Sequence, residues 1–181
     1  MMEIDAQDER TLTLRGWVRF NRGEHKGGLA DLRRAREINP NFALALIRLA
    51  FAEAKAGMAH EAIEDARLAL RLSPRDYWIG PAHLALALAH FTLRDYLETM
   101  RWCESGIQVS HRAPIRRALM IACSAQEGDL ARVRAEIAVL NSFAPDFLGS
   151  VFRSENPVFI RGEDMQHLLA GLRLAGLPIM Q

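Results

Sequence analysis

Five marker residues recur along the chain at a spacing that points to a stack of helix pairs. Gly16, Gly23, Gly28, Ala35 and Pro40 reappear 34 residues on as Ala50, Gly57, Ala62, Ala69 and Pro74. A step of 37 leads to Ala87, Arg94, Thr99, Gly106 and His111, and a further 34 to Ile121, Gly128, Val133, Leu140 and Pro145. Such self-similarity is the mark of a repeat architecture, in which each unit buries its apolar face only against its neighbours. Each marker has a job in a helix–turn–helix unit. Small residues in both helices permit a close crossing. The turn glycine ends the first helix with positive φ. The proline ends the second helix because it cannot continue the hydrogen-bond ladder.

The register predicts helices over about 8–21 and 25–38, 42–56 and 59–72, 77–93 and 95–109, and 113–127 and 129–143. No segment alternates with period two, so no strand is expected. The expected fold is an all-α superhelix of four repeats, about 9–42, 43–76, 77–113 and 114–147, filling 1–145. A C-terminal segment, 146–181, is expected to cap it, all within one solenoid domain. That segment is expected to hold a short helix over Phe147–Phe152, then a helix over Glu163–Ala175 with Met165, Leu168, Leu169 and Leu172 on one face, a stripe that either covers the fourth unit or occupies the concave groove. Two departures stand out: Arg94 replaces the turn glycine of the third unit, and His111 its closing proline. The fourth unit is bulky at its markers, so its two helices should sit further apart.

Several functions are disfavoured. The 23 basic and 22 acidic residues nearly cancel, giving a net charge of +1. A balanced chain lacks the basic field of a nucleic-acid binder. The most apolar stretch, Gly80–Leu93, is too short to span a membrane. The acidic N-terminus is no signal peptide, so a cytoplasmic protein is expected. Cys103 and Cys123 fall in apolar helical stretches and read as buried free thiols. His83 and His90 lie seven apart on one helix, and a metal site needs more ligands than that. No phosphate loop or nucleophile motif is present. No catalytic residue, metal or cofactor is expected. The arginine runs Arg33-Arg34-Arg36 and Arg112, Arg116, Arg117 read as solvated faces.

With the markers placed, the units resemble the tetratricopeptide repeat (TPR), most closely over Ala43–Asp76. A narrower likeness follows. The stretch Leu84-Ala85-Leu86-Ala87-Leu88-Ala89-His90, then Arg94-Asp95-Tyr96 and Arg101-Trp102, resembles the repeat region C-terminal to the catalytic domain of bacterial class III adenylate/guanylate cyclases. The ending Leu168-Leu169-Ala170-Gly171-Leu172-Arg173-Leu174-Ala175-Gly176-Leu177-Pro178 resembles that region's finish. The resemblance implies a regulatory or scaffolding interaction module, with no cyclase chemistry in this chain. An excised C-terminal segment and an independent small repeat protein are equally allowed.

In stacked repeats of this kind the first helices line the concave surface. The inward positions include Trp17, Phe20, Ile47, Phe51, Leu84, Leu88 and Phe91, against only alanines (Ala118, Ala122, Ala125) in the fourth unit. This apolar lining is expected to take an apolar or amphipathic helix of a protein or peptide partner, and not a chain's terminal carboxylate. The alternative is self-association as a homodimer. Trp102 shares its register with Asp31, Asp65 and Glu136. That suggests an outward face, on which an exposed Trp102 would be an interface anchor or lie flat on its neighbours.

Overall fold

Asp8 opens the first helix: its Oδ1 accepts from the backbone N–H groups of Arg10 and Thr11 at 2.8 and 2.9 Å. This N-cap satisfies donors that no helical carbonyl can reach. The structure, a computed structural model, describes residues 8–74, 79–110, 112–147 and 157–177. Among the described residues there are nine helices and no strand. They pair as α1 (Glu9–Asn21) with α2 (His25–Ile38), α3 (Ala43–Lys55) with α4 (Ala59–Leu72), α5 (Ile79–Thr92) with α6 (Tyr96–Val109), and α7 (Pro114–Gln126) with α8 (Leu130–Phe143). The last is α9 (Gly162–Leu174). These bounds follow the sequence register closely. The short helix expected over Phe147–Phe152 falls, beyond Phe147 itself, outside the described residues, as does Tyr77-Trp78 of the three-residue insertion.

All four first helices end in the same way. In α1 the N–H of Glu24 donates to the Arg19 carbonyl at 3.0 Å and that of Gly23 to Phe20 at 3.2 Å. The same pair of bonds closes α3 (Met58 to Glu53, Gly57 to Ala54), α5 (Asp95 to His90, Arg94 to Phe91) and α7 (Asp129 to Ser124, Gly128 to Ala125). This closure needs a left-handed residue. Gly23, Gly57 and Gly128 supply it with φ of 88°, 83° and 77°, and Arg94 adopts φ of 64°. A side chain there costs on the order of 1 kcal/mol, so the turn geometry, not the residue, is what the repeat holds constant. Asp95 and Asp129 then cap the next helices, accepting from Glu98 N at 3.1 Å and Arg132 N at 2.9 Å.

The small markers set how closely each pair crosses. A Cβ on Gly28 would sit 2.7 Å from Phe20 Cβ and 2.8 Å from the Gly16 carbonyl oxygen. Each later first helix packs on both helices of the preceding pair. Leu32, Leu46, Leu49, Leu86, Leu88 and Leu119 fill the seams, each fully buried leucine contributing about 2 kcal/mol. The α7–α8 interface is smaller than those of the first three pairs, in line with the bulky markers Ile121, Val133 and Leu140.

The C-terminal part turns back inside the array. Its main helical partner is α7. Leu168 and Leu172 are buried, and Gly171 rides so close to α7 that a Cβ there would lie 2.7 Å from Ala122 Cβ. Ala122 occupies an inward register position, so α9 covers the fourth unit from its concave side. Just before α9, residues 157–161 run to the α3 end of the array, where Ile160 N–H donates to the Lys55 carbonyl at 2.7 Å. Carbonyls in the last turn of a helix need such donors from outside the helix. Phe159 stacks on Phe91 at 5.6 Å, and Ile160 packs against the cluster of Phe20, Leu29 and Leu32. Buried Asp164 secures the turn, accepting from Arg161 Nε and Nη2 at 2.7 and 2.9 Å, with Arg94 Nη1 at 3.5 Å.

Candidate functional site

The folded-back C-terminal segment divides the concave surface. One part lies under residues 157–161 and α9. The other is an open cavity of about 660 Å³, with Trp17, Ile47, Phe51, Pro81 and Leu84 among its apolar walls and Arg48 and Arg116 among its polar ones. A smaller space of about 200 Å³ lies against the folded-back segment, bordered by Trp17, Phe51, Lys55, Leu88, Pro157 and Val158. Trp17 and Phe51 line both, their rings 5.6 Å apart and tilted.

The seven residues expected in the groove therefore separate. Trp17, Phe51 and Leu84 are half-buried and, with Ile47, line the open cavity. Leu88 borders the smaller space but is only 1% exposed. Phe20 and Phe91 are core residues: Ile160 packs on the first, and Phe159 and His167 lie on the second, the His167 ring centroid 5.1 Å away. Sequence register identified the inward positions. It did not show that the chain's own end would close over Phe20 and Phe91.

Cations border both spaces, Arg48 and Arg116 the open cavity and Lys55 the smaller one. Arg48 lies with its guanidinium 5.5 Å over the Trp17 ring, and Lys55 Nζ stands 5.7 Å over Phe51, both favourable cation–π placements. Burial pushes the Lys55 ammonium down to about 8 and also lowers the Arg48 pKa, because the charged forms lose water. Arg116 is buried, and its Nη2 donates to the Gly80 carbonyl at 2.5 Å. The expected solvated face at Arg116 and Arg117 is thus corrected. Arg117 pairs with Glu136 at 2.5 Å, with both side chains largely buried. The repeat register carried a signal for Arg116: its equivalents are Thr11, Ala45 and Ala82, all small.

The expected exposure of Trp102 is also corrected. The position it shares with Asp31, Asp65 and Glu136 faces the seam between helices, and all three acids are buried. Asp31 pairs with Arg15 at 2.6 Å and Arg19 at 3.2 Å on α1, and Glu136 with Arg117 on α7. Trp102 follows the same geometry with a ring in place of an ion pair. It is half-buried against His83 on α5, centroids 5.4 Å apart. Acids at one register position read as an outward face only if their counter-ions are overlooked, and here the counter-ions come from neighbouring helices.

The run Arg33-Arg34-Arg36 divides similarly. Arg34 meets Glu37 on the surface, whereas Arg33 and Arg36 reach toward buried Glu53 and Asp65 at 3.5 and 3.1 Å. Burial, reinforced by Asp65, pushes the Glu53 carboxyl up to about 7; burial pushes Asp65 up to about 6. The two arginines are half-exposed and oppose that rise without cancelling it. Cys103 and Cys123 are free and buried, and burial raises both thiols, Cys123 to about 12. A thiol so placed is a poor nucleophile. His90 Nδ1 lies 3.2 Å from Asp95 Oδ2, whereas the His83 ring lies against Trp102.

Two solved structures share this architecture. YrrB, whose crystal structure is described as that of a TPR protein with an unusual peptide-binding site, superposes with a TM-score of 0.62 at 17% identity, covering 94% of this chain and 86% of that one. TTC0263, a thermophilic TPR protein of Thermus thermophilus, superposes with a TM-score of 0.66 at 17% identity, covering 92% and 89%. No family model and no curated protein matches the sequence. The likenesses establish the fold: an all-α, TPR-like superhelix. No helix among the described residues is long and apolar enough to cross a membrane.

Proposed function

We propose that this chain is a non-catalytic protein-interaction module whose concave cavity takes an apolar or amphipathic segment of a protein partner. The observation that carries this reading is the open, aromatic-walled cavity beside Trp17, Phe51 and Leu84, which residues 157–177 leave unfilled. An apolar pocket of this size is costly to leave in water and has the dimensions of a ligand site. The peptide-binding site named for YrrB, a protein of the same fold, supports the choice of a peptide ligand. The resemblance to cyclase-linked repeat regions extends the proposal to a partner in nucleotide-cyclase signalling. The residues that carry it, Ala85 to Ala89 among them, are buried packing residues, so this extension rests on sequence likeness.

Peptides selected from a random display library against the folded chain supply the test. Trp17→Glu and Leu84→Glu should each weaken the selected peptides at least tenfold while the helical circular-dichroism signal persists. Peptides that bind both variants as tightly as the parent chain would place the site elsewhere. Light scattering on the same samples reads the alternative: a concentration-dependent dimer abolished by these variants would make a second copy the occupant.

A further inference from the structure

We infer that the segment bound in the cavity carries an acidic side chain, received by Arg116. The inference rests on the peptide-binding reading of the cavity. Arg116 is only 7% exposed, yet it forms part of the cavity wall. Its Nη2 is taken by the Gly80 carbonyl, and among the described residues its buried Nε has no acceptor. Among the described residues no carboxylate lies within ion-pair distance of it. Other arginines of the chain differ in this respect. Arg15, Arg36, Arg117 and Arg161 all reach buried carboxylates. A guanidinium withdrawn from water without a counter-charge is the costly case, and it stays charged at any ordinary pH.

The fold makes room for this cation. Position 106 is glycine, and a Cβ there would run into Arg116 Nε; the equivalent residues of the first two units are Ala35 and Ala69. Gly80, which offers the carbonyl, lies in the first turn of α5 at the cavity edge. Apolar walls on one side and, on the other, a buried cation with no counter-charge among the described residues suit an amphipathic segment that presents a carboxylate beside its apolar anchors. An acidic side chain fits better than a chain terminus. A terminus needs several donors converging on its two oxygens and its last amide, whereas the other polar side chains of the lining are Ser110 and Arg48, the latter lying over the Trp17 ring.

The test uses random twelve-residue peptides displayed with their C-termini blocked by fusion, so that only side chains can supply a carboxylate. Peptides selected on the full chain should share an Asp or Glu at a fixed distance from aliphatic or aromatic anchors. Exchanging that acid for its amide should weaken binding to the wild-type chain about tenfold or more. Arg116→Met should weaken the acidic peptide by a similar factor and leave the amide peptide nearly unchanged, so the two losses do not add. Selected peptides without a shared acid, or an acid-to-amide loss equally large on Arg116→Met, overturn the Arg116 assignment and leave the peptide-binding reading standing. Peptides that bind only with a free C-terminal carboxylate also overturn it, in favour of terminus capture. If no peptide is selected in either format, the reading of the cavity itself fails and the inference falls with it. The acid-to-amide exchange on the unaltered chain decides the matter even if Arg116→Met does not fold.

Discussion

Glutamine in place of Glu53 isolates the cost of a buried charge. Glu53 on α3 is 1% exposed, one carboxylate oxygen is without a partner, and Arg33 approaches the other only to 3.5 Å. Its pKa rises from 4.5 to about 7 on folding, chiefly by loss of water and then by the nearby Asp65 carboxylate. A raised carboxyl pKa means that the protonated form is favoured in the fold. The associated stability is fully present below about pH 4.5 and is lost as pH climbs through about 7. At about 1.4 kcal/mol per pH unit, the loss is on the order of 3 kcal/mol at most, and less once Asp65, itself raised to about 6, shares the protons. Glutamine copies the protonated shape without titrating. Urea unfolding followed by circular dichroism, at about pH 5 and about pH 8.5, should show Glu53→Gln gaining on the parent by roughly 1–3 kcal/mol between the two conditions. The histidines are no confounder. His83 and His167 are lowered by burial and act in the opposite sense, but equally in both proteins, so they cancel in the difference. A variant that instead loses ground as pH rises would refute the reasoning: the ionised carboxylate would then be a net stabilising partner of Arg33 and Arg36.

Four further outcomes rest on the packing. Asp164→Ala removes a fully buried acceptor of two short bonds from Arg161 and should cost about 2 kcal/mol in denaturant unfolding, whereas Arg94→Gly, which relieves the left-handed strain at φ of 64° but gives up the 3.5 Å contact with Asp164, should change stability by less than about 1 kcal/mol. Gly171→Ala drives a methyl group into Ala122 and should destabilise by about 1–3 kcal/mol, with amides of α9 exchanging faster than those of α5; unchanged exchange would show that α9 does not depend on that close approach. Amides of α1 and α2, which have no preceding helix pair and carry Gly27 and Gly28, should exchange faster than those of α3 to α6; equal protection would count against a soft first unit.

The C-terminal segment shows how the same residues serve as cap and as groove lining. A solenoid must cover its last apolar face, and α9 does so through Leu168 and Leu172. It does it from the concave side because the fourth unit presents Ala122 where the second and third present Phe51 and Leu88, which leaves room for a helix backbone. The extended run before α9 then has only to pass along the ends of α5 and α3, where Phe91 and the Lys55 carbonyl receive Phe159 and Ile160. What remains open is the stretch over α1, α3 and α5 that this route does not cross.

The sequence by itself determined the helices, their ends and their pairing. These depend on short-range physics: the 3.6-residue apolar period, the left-handed turn residue and the proline stop, all repeated at fixed spacing, so four imperfect copies reinforce one another. The inward register positions were legible for the same reason. Tertiary structure alone decided what became of them. Register shows which residues are equivalent, but not whether a charge is met by an arginine on another helix, and so Asp31, Asp65 and Glu136 read as surface when they are buried. Nor does it show that residues 157–161 return across more than a hundred residues of chain to close over Phe20 and Phe91. Arg116 lies between the two cases: its alignment with Thr11, Ala45 and Ala82 marks it as out of place in a packing slot, but only the assembled α5, α6 and α7 show a cation buried at a cavity wall, because burial and charge balance are properties of the surrounding helices together.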